Sequence, residues 1–207
     1  MIRFLYGDQL PRHPELARAM FRDRAAQFSE RLGWAVTVDG AGEERDAYDA
    51  LNPLYVIWQE GSGEHGGSMR FLPTTGRVMV NEHFRHLCGG GAIASPLIWE
   101  CTRFCLAPGA GDAFRRSAGL MAAGAFLGRR MGLAHAVGVF EAPMLRLYRA
   151  LGWVPDIPSK APGGISVGFW DFAQAPLARL CRRAGITEVQ LAEWYAGDLA
   201  PPAEAAQ

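Results

Sequence analysis

The order of elements legible in the sequence makes this chain an α/β protein with a mixed sheet. Three observations carry that expectation. Helical periodicity marks long segments near residues 14–32 and 115–131. Short apolar runs bounded by Gly and Pro turns mark strands. The early strands follow one another as an antiparallel series, whereas the later ones alternate with helices. The chain has 207 residues, 49% hydrophobic and 20% charged, which suits one domain over residues 1–200 with a flexible tail at 201–207.

The first helix is predicted from Pro14 to Leu32, with proline in its first turn and Gly33 at its stop. Ala17, Phe21, Phe28 and Leu32 share an apolar face, and Arg24 falls inside it. A guanidinium there is costly unless it snorkels, is paired, or binds an anion. Residues 40–52 read as a polar loop carrying Glu43, Glu44, Asp46 and Asp49. Strands are expected at Leu54–Glu60, Ser68–Leu72 and Arg77–Val80, then a short helix at Glu82–Leu87. Leu97–Leu106 reads as a strand with Glu100, Thr102 and Phe104 on one face and Arg103 between Cys101 and Cys105 on the other. Glu100 and Arg103 then point apart unless a bulge intervenes. A Gly- and Ala-rich helix at Arg115–Met131, a strand at Ala134–Phe140, a helix at Pro143–Leu151 and a strand at Ile165–Phe172 follow. Two helices close the chain, Pro176–Ala184 and Glu188–Tyr195, the second capped by Thr187.

Composition and motifs exclude several classes. The formal net charge is zero, which argues against a general nucleic-acid binder. Charge is uneven, however: residues 101–160 carry a net +5 between flanks of −3 and −2. No apolar run is long enough to span a membrane, and no secretory h-region opens the chain, so a cytoplasmic protein is expected. The four cysteines form no CxxC pair. His83 and His86 lack a third metal ligand, and neither a GxSxG elbow nor a phosphate-binding glycine loop occurs.

The segment from Arg115 ends in Leu147-Tyr148-Arg149-Ala150-Leu151-Gly152-Trp153, which resembles the close of GNAT-type N-acetyltransferases. In that fold, two parallel strands splay apart and the gap receives a pantetheine arm. The usual pyrophosphate loop is replaced by residues 107–112, which disfavours acetyl-CoA. The N-terminal half is more specific. Arg24, Phe28 and Trp34, then Asp46 and Asp49, then Arg70 opening Arg70-Phe71-Leu72-Pro73-Thr74-Thr75-Gly76, then Glu100, Thr102, Arg103 and Phe104 stand at spacings similar to those of LuxI-type acyl-homoserine-lactone synthases. These are the autoinducer synthases of bacterial quorum sensing, and the resemblance covers roughly residues 1–172.

That resemblance implies a GNAT-like three-layer αβα sandwich with a mixed, splayed central sheet. It implies acylation of the amine of S-adenosylmethionine from an acyl-carrier-protein or acyl-CoA thioester, then lactonisation with release of methylthioadenosine. S-adenosylmethionine is a substrate, and no cofactor or metal is expected. Glu100, Asp46 and Arg103 are the catalytic candidates, with Glu100 as general base. Arg24, Phe28, Trp34, Asp49, Arg70, Thr102 and Phe104 are the substrate-binding candidates, by contact or as an ion-pair network behind the pocket. Met121, Val139, Phe140 and Met144 are expected to wall the acyl chain. Arg115, Arg116, Arg129, Arg130, Arg146 and Arg149 are candidates for docking an acidic acyl-carrier protein. A plain acetyltransferase and a non-catalytic carrier-binding module are the alternatives. No threonine lies between Thr102 and Thr187 to bond a 3-oxo group, so an acyl chain unsubstituted at carbon 3 is expected unless Ser117, Tyr148 or a water replaces it.

Overall fold

The computed structural model describes residues 1–109, 112–158 and 164–199. The tail expected at 201–207 and part of the 107–112 loop lie outside them. Six strands form one sheet in chain order: β1 (Ile2–Tyr6), β2 (Leu54–Gln59), β3 (His65–Pro73), β4 (Ile98–Leu106), β5 (His135–Glu141) and β6 (Ile165–Asp171). Neighbours pair antiparallel except β4 with β5, the parallel pair. Helices cover both faces. On one lie α1 (Pro14–Ala25) and α2 (Met79–His83); on the other lie α3 (Ala113–Arg130), α4 (Met144–Leu151), α5 (Leu177–Ala184) and α6 (Glu188–Leu199). This is the splayed three-layer α/β sandwich.

The principal core lies between the sheet and α3, whose small residues allow close approach. At Gly119 an added Cβ would sit 2.1 Å from the Trp58 ring, and at Gly128 it would sit 2.3 Å from Phe172, so both positions require glycine. On the opposite face Leu16, Ala17, Met20 and Phe21 of α1 pack on Leu5, Tyr55 and Ile57. α6 secures the edge strand: Asp198 accepts the Phe4 N–H at 2.8 Å and pairs with Arg3.

Two expectations are corrected. β1 was not foreseen. Residues 77–80 are not a strand; α2 begins at Met79. The reason is tertiary, because a carboxylate from β4 holds the first amides of α2, as described below. The helix expected to run to Leu32 does extend that far, but its last turn, Ala26–Arg31, is π-helical, with the Leu32 N–H donating to the Gln27 carbonyl.

Candidate active site

The β4–β5 ladder holds only three registered pairs and ends at Glu100 and Val137. Beyond it the strands diverge. A cavity of about 750 Å³ passes through the opening and reaches both faces of the sheet. Gly138 sits at the throat: a Cβ there would lie 3.0 Å from the Cys101 carbonyl and 3.3 Å from the Trp170 ring.

On the α1 face the wall is aromatic and charged. Phe28 and Trp34 stack with centroids 5.1 Å apart and planes 19° apart. The π-helical turn carries Phe28, and Trp34 follows Gly33, whose φ of +65° reverses the chain. Trp34 Nε1 donates to Glu141 across the cavity mouth at 3.0 Å. The Arg103 guanidinium lies 5.3 Å from the Phe28 ring centre. On the α3 face the wall is apolar. Met121, Phe140 and Met144 lie there, while Val139 lines the cavity from the α2 side.

Arg103 reaches the cavity through a β-bulge. Ser68 pairs with Cys105 and Arg70 with Thr102, so Met69 faces both Arg103 and Phe104. Arg103 takes the left-handed conformation, φ +54°, which is rare for a side chain of this kind. The bulge flips the alternation and places Arg103 on the same face as Glu100 and Thr102, resolving the conflict seen in the sequence.

Behind this wall six charges alternate in a closed ring: Arg24, Glu44, Arg103, Asp46, Arg70, Asp49 and back to Arg24. Arg24 Nε donates to Glu44 at 2.6 Å, and its two Nη groups grip Asp49 bidentately at 2.9 Å. Arg70 grips Asp46, reaches Asp49 at 2.8 Å, and sends Nε to Thr102 Oγ1 at 3.1 Å. Arg103 contacts Glu44 at 2.9 Å and Asp46 at 2.8 Å. Arg24 is 1% exposed and Arg70 0%. Such burial is tolerable only because each charge is matched and hydrogen-bonded. The guanidiniums of Arg24 and Arg70 hold the Asp49 carboxyl far below the usual range against the opposing effect of burial.

The expected site residues divide between the cavity wall and the ring behind it. Arg103, Thr102, Phe104, Phe28 and Trp34 line the cavity; Arg24, Arg70, Asp46 and Asp49 do not. The donors of Arg24 are engaged within the ring. Glu44 was missed as a site residue, although it is 0% exposed and joins two arginines. Its signal was its place in the acidic loop opposite an inward arginine.

Glu100 is 1% exposed and does not line the cavity. Its two oxygens accept the N–H groups of Met79 and Val80 at 3.0 and 2.5 Å, capping α2 from a distant strand. Burial raises its pKa, and the two amide bonds work against that rise. Cavity residues surround it: Met79, Cys101 and Thr102.

The docking arginines divide. Arg115 donates to the Ala184 carbonyl, Arg116 pairs with Glu60 at 2.7 Å, and Arg129 holds the Phe172 and Ala175 carbonyls. These three brace α3; Arg116 is buried, whereas Arg115 and Arg129 stay exposed. Arg130, Arg146 and Arg149 are exposed.

Comparison with known proteins agrees with this geometry. The sequence model of the autoinducer synthases matches residues 8–160. An acyl-homoserine-lactone synthase of Rhizobium etli is 39% identical over 199 residues, covering 89% of this chain and 93% of that protein. The crystal structure of the AHL synthase LasI is 26% identical with a TM-score of 0.75, covering 87% of this chain and 93% of the other. BjaI, a CoA-dependent acyl-homoserine lactone synthase solved with SAM and isopentyl-CoA, is 26% identical with a TM-score of 0.78, covering 90% of both chains. A cavity through a parted parallel strand pair, backed by a charge ring at the spacings noted in the sequence, together with these matches, places the chain in the autoinducer synthase family, the acyl-homoserine-lactone synthases.

Proposed function

We propose that the chain binds S-adenosylmethionine on the α1 face and the acyl thioester on the α3 face, and joins them through the gap between β4 and β5. One observation carries this: the cavity crosses the sheet, charged and aromatic on one side and apolar on the other. The stacked Phe28 and Trp34 suit adenine and the sulfonium, and Arg103 suits the methionine carboxylate.

The amine nitrogen gives up a proton and attacks the thioester carbon, the carbon–sulfur bond breaks, and the sulfur leaves as the thiol once the general base returns that proton to it. The carboxylate oxygen then attacks the methionine γ-carbon, its bond to the sulfonium breaks, and methylthioadenosine departs. Glu100 is the general base. Because it lies behind the wall, the proton reaches it by relay through solvent rather than by direct contact. Its raised pKa brings it closer to that of the amine. Asp46 serves by fixing Arg103 rather than by touching substrate.

An acidic carrier protein docks on Arg130, Arg146 and Arg149, and the enzyme works in the cytoplasm, where both substrates are made. The test is to incubate pure protein with S-adenosylmethionine and a panel of acyl thioesters and identify products by mass spectrometry. An acyl-homoserine lactone and methylthioadenosine in equal amounts support the reading; acyl transfer to any other amine, without lactone, refutes it.

A further inference from the structure

Among the described residues that line the cavity, Glu141 is the one carboxylate. Glu44, Asp46 and Asp49 are engaged in the ring behind the wall, and Glu100 holds the amides of α2. Glu141 belongs to neither group. It is half-buried at the end of β5, and no cation among the described residues pairs with it. Its Oε1 accepts the Trp34 Nε1–H at 3.0 Å, and its Oε2 has no partner among the described residues.

Its place on β5 sets what it faces. Val139 lies on the α2 side of the sheet, so Glu141, two positions on, shares that side by strand alternation, and the bond to Trp34 agrees. The last pair of the parallel ladder is Glu100 with Val137; Arg103 stands three positions past it on β4 and Glu141 four positions past it on β5. A guanidinium and a carboxylate therefore flank the parted strands at similar depth and on the same face. Arg103 meets Glu44 and Asp46 through Nε and Nη2, which leaves its Nη1 without a partner among the described residues.

A cation and an anion opposed across an opening match a zwitterion. The head of S-adenosylmethionine is one, with carboxylate and ammonium on a single carbon. Neighbouring strands lie about 4.8 Å apart in a ladder and farther apart beyond its end, a span that such a head group bridges. With the carboxylate on Arg103, Glu141 stands on the side of the ammonium. The ammonium offers three N–H donors to a carboxylate, whereas the sulfonium offers none and suits the faces of Phe28 and Trp34.

We propose that Glu141 binds the ammonium of S-adenosylmethionine and, with Arg103 on the carboxylate, holds the head group across the gap with its nitrogen toward the acyl thioester. The inference rests on the lactone-synthase reading above and adds a substrate-contacting residue to it. Removal of the reacting proton stays with Glu100; Glu141 orients the nitrogen that loses it.

The test is titration calorimetry of the wild type and Glu141→Gln with S-adenosylmethionine, S-adenosylhomocysteine and methylthioadenosine. The amide keeps the size of the side chain and an oxygen for Trp34, and removes the charge. Glu141→Gln should weaken the first two ligands by about tenfold to a hundredfold, the loss of one charge-assisted hydrogen bond. Methylthioadenosine, which lacks the head group, should bind as before, and this also shows that the variant is folded. In turnover the loss should appear in KM for S-adenosylmethionine rather than in kcat. Unchanged binding of S-adenosylmethionine overturns the proposal. So does an equal loss for all three ligands, which would assign Glu141 to holding Trp34, and so does a loss confined to S-adenosylmethionine, which would assign it to the sulfonium. None of these touches the lactone-synthase reading; a wild type that neither binds S-adenosylmethionine nor makes lactone overturns both.

Discussion

Replacing Arg24 by methionine tests whether the charge ring holds the pocket together. The substitution keeps an unbranched stem of similar reach and removes the guanidinium. It deletes the 2.6 Å bond to Glu44 and the bidentate grip on Asp49. Removing one member of a buried pair costs about 3–5 kcal/mol, because the partner remains buried and charged. Here each acid keeps a second partner: Arg103 for Glu44, and Arg70 with the Tyr55 hydroxyl for Asp49. The cost should therefore fall near the lower end, about 3 kcal/mol. For a chain of this size that lowers Tm by about 6–12 °C. Thermal unfolding followed by circular dichroism reads it, with Arg18→Met as control. Arg18 and its partner Glu15 are exposed, so that variant should lose at most about 1 kcal/mol. The KM for S-adenosylmethionine should also rise in Arg24→Met, since Glu44 would no longer fix Arg103. A Tm within about 2 °C of wild type, less than 1 kcal/mol on the same scale, would refute the view that the ring is a mutually dependent unit.

Other outcomes follow from the same geometry. Glu100→Gln should lower kcat by about 10²–10⁴-fold, and turnover at the wild-type rate would remove Glu100 from the base role. Asp49 has a folded pKa below that of the unfolded chain, so its ionised form stabilises the fold above about pH 4 and that stability is lost as pH falls through the folded value. Wild-type Tm should therefore drop more steeply below pH 4 than that of Asp49→Asn; parallel curves would contradict it. Glu100 has the opposite sign: its raised pKa means the ionised form costs stability at neutral pH, relieved on acidification. Gly138→Ala should narrow the throat and raise KM for acyl donors while leaving that for S-adenosylmethionine nearly unchanged, which steady-state kinetics can check. Reversing Arg146 and Arg149 to Glu should raise KM for carrier-borne donors, and added salt should mimic it; unchanged KM would move the dock elsewhere.

The sequence by itself determined the α/β class, most element positions and the charged residues that matter. Arg24 inside an apolar helical stripe, and Glu100 and Arg103 in a core strand, were conspicuous because unpaired burial of such groups is so costly. Only the tertiary structure decided how they pair. Glu44 and Arg103 are 59 positions apart, and no local pattern links them. The bulge that turns Arg103 inward depends on its pairing with β3, and α2 depends on a carboxylate 20 positions away. Residues 77–80, rich in valine, favour a strand until that carboxylate satisfies their helical amides. β1 is a five-residue run whose strand character comes from pairing with β2 and from the cover of α6. Periodicity reports which residues turn inward; whether they meet a partner or an empty chamber is decided by elements far away in the chain.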